Sequence, residues 1–146
     1  MTTETRTTQE NKDLVRAFHE GIWAGDLDLF DEHVAEDYVG HDPNVPGDLH
    51  GPAEFREFIG GLRASMSDID HTIEDLFGED DRVVVRGRLT ARHTGEMMGI
   101  PATDREVSVD ETVVYRLEEA KVAETWAAVD RLGMLQQLGV VETPGE

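Results

Sequence analysis

Residues Asp110 to Gly139 read DETVVYRLEEAKVAETWAAVDRLGMLQQLG, and this stretch sets the architecture that we expect for the whole chain. It contains two runs of strand type around a polar break at residues 118–121, and the second run ends in an aspartate. Strand side chains alternate between faces, so Trp126 and Asp130 are predicted to share one side, about 13 Å apart. A carboxylate on an apolar, aromatic face is a candidate general acid or base.

Length and composition indicate one compact domain. The chain has 146 residues, enough for a sizeable core, and we expect a single domain over residues 1–146 with loose ends at 1–8 and 141–146. No run approaches the roughly 18 apolar residues of a membrane span, and no signal peptide opens the sequence. No cysteine is present, which excludes disulfides and thiolate chemistry. A cytoplasmic protein is therefore expected.

The charge balance is strongly acidic, with 32 Asp and Glu against 13 Lys and Arg and a net charge of −19. A field of that sign repels nucleic acid and anionic membranes, so neither is expected as a partner. Acidic, lysine-poor surfaces are typical of proteins from salt-accumulating organisms, because high salt screens the self-repulsion. We hypothesise a halophilic source.

Helical periodicity dominates the N-terminal part of the chain. Apolar residues recur at helical spacing over residues 9–24, and a short second helix is predicted from Leu27 through Val34. Residues 38–40 indicate a brief strand before a Pro-rich loop. A Gly-Pro pair at 51–52 then opens a third helix, because proline is favoured at an early helical position.

After Ser67 the apolar period changes from helical to alternating, which predicts strands. Between Val83 and His93 one face is small and apolar, while arginines occupy the other. Asp110 and Glu106 on the next strand are the expected partners of those arginines. The order predicts an α+β fold, with about three N-terminal helices packed on a strongly curved, mainly antiparallel sheet that encloses a pocket.

Three segments resemble a known family. They are His41-Asp42-Pro43 followed by Gly51, the run RHTGEMMGIPAT from Arg92 to Thr103, and ETWAAVDRLGMLQQLG from Glu124 to Gly139. In these segments and in the order of its elements, the chain resembles the SnoaL-like polyketide cyclases, which share the nuclear transport factor 2-like cone. The resemblance implies an intramolecular aldol condensation that closes a ring on a polyketide ester, without cofactor or metal, and with Asp130 as general acid and base. Two departures lie outside that chemistry: the Glu-Glu-Ala-Lys turn at 118–121, and Ala102, where relatives often carry proline.

Three residues are predicted to be catalytic. Desolvation beside Trp126 is expected to tune Asp130 as a base, although the same aspartate also fits a helix N-cap. His93 ends an apolar strand face and is expected to steady an oxyanion, with a satisfied core histidine as the alternative. His41 is predicted at the mouth of the cavity, and its alternative is turn stabilisation next to Asp42.

Four residues are predicted to contact the substrate. Trp126 and Tyr38 are expected to wall the pocket, and Met97 and Met98 to form a flexible lid, with an interface loop as the alternative for the methionines. His71 is interpreted as structural. The histidines show no close pairing along helices or strands, so no metal site is predicted.

Two functional hypotheses follow. The first is an enzyme, a cyclase or isomerase that acts on a small apolar carbonyl or polyketide-like compound. The second is a non-catalytic module with the same fold, used for small-molecule binding or for dimerisation. A homodimer is expected, because the basic side of the sheet is a candidate interface. Epoxide hydrolysis is disfavoured because Asp130 and Arg131, as strand neighbours, point to opposite faces.

Overall fold

The structure, a computed structural model, describes residues 7–142, which contain four helices and six strands. The helices are α1 (Thr8–Trp23), α2 (Leu29–His33), α3 (Gly51–Ala64) and α4 (Arg131–Leu138). The strands are β1 (Val34–His41), β2 (Leu49–His50), β3 (Met66–Glu79), β4 (Arg82–His93), β5 (Glu106–Glu118) and β6 (Lys121–Val129). Within the described residues, no helix combines the length and apolar character that crossing a bilayer requires.

Helix α1 begins with a capping box. The Thr7 hydroxyl accepts a hydrogen bond from the backbone N–H of Glu10, and the Glu10 carboxylate accepts one from the backbone N–H of Thr7, each at 3.0 Å. These bonds satisfy two N–H groups that the start of a helix leaves without intrahelical partners. The prediction of a loose segment at 1–8 is therefore wrong for its last two residues, while residues 1–6 and 143–146 lie outside the described part.

The six strands form one sheet in the order β2-β1-β6-β5-β4-β3. Strand β1 runs parallel to β6, and every other neighbouring pair is antiparallel. The predicted α+β fold with a curved, mainly antiparallel sheet is confirmed. Strand β1 is longer than the predicted residues 38–40 because Val34, which the sequence placed in a helix, is buried and pairs with Val122.

The core lies between α1, α3 and one face of the sheet. Val83 and Val85 of β4 and Tyr115 of β5 are almost completely buried in the cluster that includes Val15 and Phe18 of α1. The alternation predicted for β4 is confirmed, because every second residue from Val83 is buried.

The opposite face of the sheet carries exposed ion pairs. Arg88 lies 2.9 Å from Asp110, and Arg92 lies 3.8 Å from Glu106. The sequence predicted Asp110 and Glu106 as partners of the β4 arginines, and the structure shows both contacts. They contribute little to stability, because exposed ion pairs are screened by water and salt.

Strand β6 contains a β-bulge at Ala123. Leu117 of β5 pairs with Val122, whereas Arg116 pairs with Glu124, so Ala123 is an extra residue on β6. A bulge shifts the two-residue alternation of a strand. Counted by simple alternation from the buried Val122, Glu124 and Trp126 would point inward. Because of the bulge, they point outward, and Thr125 and Ala127 point inward instead.

Candidate active site

A largely apolar cavity of about 140 Å³ lies between the sheet and helices α1 and α3. Most of its lining side chains are aliphatic or aromatic, and they include Ile22, Phe55, Ile59, Leu89, Val113 and Val129. A concave, apolar site with a few polar groups is typical of small-molecule binding. The polar groups that interrupt this lining therefore decide its chemistry.

Four polar side chains meet at one side of the cavity, Glu111, His19, His71 and Tyr115, which we call the Glu111 cluster. Oε1 of Glu111 lies 2.7 Å from Nε2 of His19 and 2.5 Å from Nε2 of His71. The Tyr115 hydroxyl lies 2.5 Å from Nδ1 of His19. A single carboxylate oxygen thus holds two imidazole rings. His19, Glu111 and Tyr115 line the cavity directly.

Two members of the Glu111 cluster occupy positions of core type. His19 follows Val15 by four residues on the buried stripe of α1. Glu111 lies between Val109 and Val113 on the inward side of β5, where the neighbouring positions are apolar. A polar side chain in such a position needs a hydrogen-bond partner, because burial without one is costly. Each of the two supplies the partner of the other.

The His71 ring is tightly packed by Trp23 and Gly87. The Trp23 ring lies parallel to the imidazole, at 1° and with ring centroids 5.8 Å apart. On β4, a Cβ atom at Gly87 would come within 2.9 Å of Cε1 of His71, so a glycine is needed to admit the ring. Nδ1 of His71 is buried and has no hydrogen-bond partner among the described residues. Packing, rather than a second hydrogen bond, sets the ring's orientation.

The electrostatics of the cluster favour an ionised Glu111. Burial alone would raise the pKa of Glu111, but the hydrogen bonds from His19 and His71 outweigh burial and lower that pKa to about 2. Burial and the nearby Glu111 charge raise the pKa of Tyr115. The phenol therefore stays protonated and donates to Nδ1 of His19.

His41 lies at the edge of the cavity, and its predicted placement is confirmed. Its Nε2 lies 2.6 Å from Glu124, and its Nδ1 lies 3.2 Å from Asp48. The hydrogen bond to Glu124 raises the pKa of His41 and lowers the pKa of Glu124. The imidazole remains 34% exposed, so this pair forms the polar rim of the cavity.

Tyr38, Met97 and Met98 line the cavity as predicted. The Tyr38 hydroxyl lies 2.7 Å from Oγ1 of Thr125, and its ring stacks on Phe55 with centroids 4.7 Å apart. Met97 is 4% exposed and Met98 is 47% exposed, so one methionine forms wall and the other reaches solvent. Their roles in substrate binding stay predictions.

The pocket positions predicted for Asp130 and Trp126 are wrong. Asp130 is exposed, and its Oδ1 accepts a hydrogen bond of 2.9 Å from the Gly133 N–H as the N-cap of α4. Trp126 stacks on the outer side of His41, with ring centroids 5.6 Å apart. Neither residue lines the cavity, because the bulge at Ala123 reverses the facing of this part of β6. Asp130 therefore lacks the desolvated setting that its predicted role requires.

The position predicted for His93 is also wrong. Its side chain is fully buried but does not line the cavity. Nδ1 of His93 accepts a hydrogen bond of 3.2 Å from the backbone N–H of Thr103 and lies 3.0 Å from the Thr103 hydroxyl. These contacts hold together the two ends of the loop between β4 and β5. His93 is thus a core histidine, but only half satisfied, because its Nε2 is buried and has no hydrogen-bond partner among the described residues.

Reasoning from the sequence missed Glu111, His19 and Tyr115 as site residues and took His71 as structural. The histidines are not paired by spacing within one helix or strand, but His19 and His71 meet in the fold with their Nε2 atoms 3.3 Å apart. They come from distant elements, so spacing along the chain gives no sign of their meeting. His19 and Glu111 could still have been noticed from the sequence, because each is a polar residue at a position that the apolar pattern of its helix or strand assigns to the core.

Comparison with known proteins agrees with this architecture. Residues 12–138 match the family model described as SnoaL-like polyketide cyclase. The chain belongs to the SnoaL-like polyketide cyclase family. It is accordingly an enzyme of the cyclase or isomerase kind.

The individual similarities extend over most of the chain. Aklanonic acid methyl ester cyclase DauD from Streptomyces sp. strain C5 is 30% identical over 134 residues, which cover 87% of this chain and 80% of that protein. Nogalonic acid methyl ester cyclase from Streptomyces nogalater is 30% identical over 128 residues, covering 86% and 92%. The structure of TsrD from Streptomyces laurentii superimposes with a TM-score of 0.82 at 27% identity, covering 93% of this chain and 99% of that one. The predicted nuclear transport factor 2-like cone is thereby confirmed.

Proposed function

We propose that this enzyme catalyses ring closure or isomerisation of a small apolar carbonyl or polyketide-like compound by acid/base chemistry, and that Glu111 moves the proton. The observation that carries the proposal is the position of Glu111, an ionised and largely buried carboxylate in the wall of an otherwise apolar cavity. Asp130, to which the family resemblance assigns this role, faces solvent.

The two oxygens of Glu111 are in different settings. Oε1 accepts both imidazole N–H groups, and within residues 7–142 no protein donor binds Oε2. A substrate proton would therefore go to Oε2. Because the pKa of Glu111 is lowered to about 2, the carboxylate is a weak base, and the proposal restricts the substrate to an acidic C–H between two carbonyl groups.

The proposed ring closure balances without any other reactant. Glu111 takes the C–H proton, and the enolate carbon attacks a second carbonyl carbon of the same molecule, which forms the new C–C bond. The resulting alkoxide takes the proton back from Glu111. The Tyr38 hydroxyl lines the same cavity, and burial raises its pKa, so it stays protonated. With the Thr125 hydroxyl donating to the Tyr38 oxygen, the Tyr38 proton would be free for a carbonyl oxygen.

The test uses the esters named for the two curated relatives. Wild-type protein is incubated with aklanonic acid methyl ester and with nogalonic acid methyl ester, and the cyclised product is followed by liquid chromatography and mass spectrometry. Glu111→Gln keeps the size of the side chain but removes the base, so kcat should fall at least about 100-fold. Absence of ring closure by the wild type on both esters contradicts the proposed reaction, and an unchanged kcat for Glu111→Gln contradicts the role of Glu111.

We also propose a homodimer formed through the outer face of the sheet. The support is the row of paired charges on that face, where Arg86 lies 2.7 Å from Asp75 and Arg88 lies 2.9 Å from Asp110. Light scattering at increasing salt measures the mass in solution. A monomer at low salt contradicts this part of the proposal.

A further inference from the structure

We infer that His19, His71 and Glu111 form a binding site for a divalent first-row transition-metal ion of the Zn²⁺ class, with its open positions toward the apolar cavity. The inference goes beyond the proposed reaction and does not depend on it. It concerns what these three side chains bind, and it would hold for a different substrate or a different base.

The donor atoms already converge. One atom each from His19, His71 and Glu111 lies within 4.8 Å of the other two. The two Nε2 atoms are 3.3 Å apart. With Zn–N bonds of about 2.0–2.1 Å, neighbouring ligands of a tetrahedral ion are about 3.3 Å apart. The histidine pair therefore has the required spacing. Only the Glu111 carboxylate has to withdraw, by less than about 1 Å, to admit the ion.

The packing around His71 fixes the direction of its donor atom. Trp23 and Gly87 fix the ring so that Nε2 points into the cluster, whereas Nδ1 has no partner among the described residues. Leaving a buried ring nitrogen without a hydrogen bond is costly. The ring is nevertheless held by its packing with Nε2 toward Glu111 and His19, which is the direction that a ligand at this site needs.

A hydrogen bond at Nδ1 fixes the orientation of the His19 ring. The Tyr115 hydroxyl lies 2.5 Å from its Nδ1 and is fully buried with it. In the metal-bound state the His19 proton would lie on Nδ1 and be donated to the Tyr115 oxygen, the reverse of the metal-free arrangement. A hydrogen bond donated by the far nitrogen of a ligating histidine fixes the direction of the ring and is a regular feature of metal sites. Two of the three ligands are therefore held in place by side chains that do not ligate.

The donor set indicates the class of ion. Two imidazoles and one carboxylate suit Zn²⁺, Co²⁺ or Fe²⁺, whereas Mg²⁺ and Ca²⁺ prefer oxygen ligands throughout. The net charge of −19 favours cations in general. Because His19 and Glu111 line the cavity, the positions left open would face it and accept an oxygen of a small molecule.

Metal binding and the proposed proton transfer use the same carboxylate. A metal-bound Glu111 is not free to take a proton, so added Zn²⁺ is expected to inhibit the ring closure of chelator-treated protein. Binding is therefore measured directly, without reference to turnover.

The experiment uses full-length, tag-free protein that has been treated with a chelator. Co²⁺ is titrated and followed by its visible absorption, and Zn²⁺ is titrated by calorimetry. We expect one ion per chain. His71→Ala should weaken binding more than about tenfold, since a ligand is lost. His50→Ala, which removes an exposed histidine outside the cluster, should leave binding unchanged.

A second variant tests the orientation of His71 without removing a ligand. Gly87→Ala keeps all three ligands but places a methyl group within 3.0 Å of Nε2 of His71, so it should also weaken binding. Near-ultraviolet circular dichroism checks that both variants are folded. Absence of saturable one-to-one binding by the wild type overturns the inference, as does full affinity in folded His71→Ala. Neither outcome bears on the Glu111→Gln turnover test, so the two proposals fail separately.

Discussion

Glu111 lies on β5 and Asp130 directly follows the neighbouring strand β6, but the two carboxylates lie on opposite sides of the sheet. Glu111 pairs with Val129, the residue immediately before Asp130, and the Asp130 N–H donates to the Asp110 carbonyl at 3.1 Å. Glu111 nevertheless lines the cavity and binds two histidines, whereas Asp130 is exposed and caps a helix. Pairing of β5 with β6 brings the two residues close together. Their side chains differ in chemistry because they point to opposite faces of the sheet.

The contrast shows what makes a carboxylate chemically useful in this fold. A sequence motif identified Asp130, because the segment around it is one of the two distinctive segments of the family resemblance. Burial and partners identify Glu111, whose pKa is set by desolvation and by two imidazoles. Four experiments test this contrast between Glu111 and Asp130.

The largest expected effect is on turnover. Asp130→Asn should keep kcat within about threefold of the wild type, while Glu111→Gln loses at least about 100-fold. Both changes convert a carboxylate into its amide, so each is the matched control of the other. Steady-state rates on the same ester provide the measurement, and a reversed pattern would restore Asp130 as the base.

The second effect is on stability at low pH. Because the folded pKa of Glu111 lies below its ordinary value of 4.5, its contribution is present above pH 4.5 and is lost as the pH falls toward 2. That contribution is on the order of 3 kcal/mol. Urea unfolding of wild type and Glu111→Gln should give a difference that shrinks between pH 5 and about 2. A difference that stays constant over this range would sink the assignment.

The third effect is on the helix cap. Asp130→Ala removes the acceptor for the Gly133 N–H and should lower the free energy of unfolding by about 1 kcal/mol, with little loss at Asp130→Asn. Chemical denaturation at neutral pH measures both variants. If Asp130→Ala is as stable as the wild type, the cap does not account for this aspartate.

The smallest effect concerns the rim pair. Glu124→Gln should lower the pKa of His41, because the hydrogen bond to Glu124 is the largest cause of its raised value. His41 then loses its proton at lower pH than in the wild type. Titration of the imidazole resonances by NMR follows this directly, with His50 as an exposed reference. An unmoved His41 would show that Asp48 holds it instead.

Much of the fold could be predicted from residue patterns alone. The helical stripes of α1 and α3 and the alternation of β4 depend on local period, which the sequence displays. Pairing of Arg88 with Asp110 followed from the same alternation. Strand β1 was underestimated because Val34 carries a helical pattern that pairing with Val122 overrides.

The site was less predictable, for two physical reasons. His19, His71 and Glu111 come from a helix and two strands far apart in the chain, so their meeting depends on tertiary packing. The facing of Trp126 depends on a bulge that the apolar pattern around it does not reveal. Even so, Glu111 stood between valines on a strand face, and a charge in that position is a signal that can be read without a structure.

The bulge at Ala123 also predicts where β6 tolerates deletion of a single residue. The strand there has one residue more than its partner requires, so removal of the Ala123 codon would leave Val122, Thr125 and Ala127 facing inward in a regular ladder. A codon removed after Thr125 would instead turn the end of β6 over and exchange its inner and outer side chains. Single-codon deletions are thus expected to be tolerated at one point of this strand and to be disruptive a few codons later.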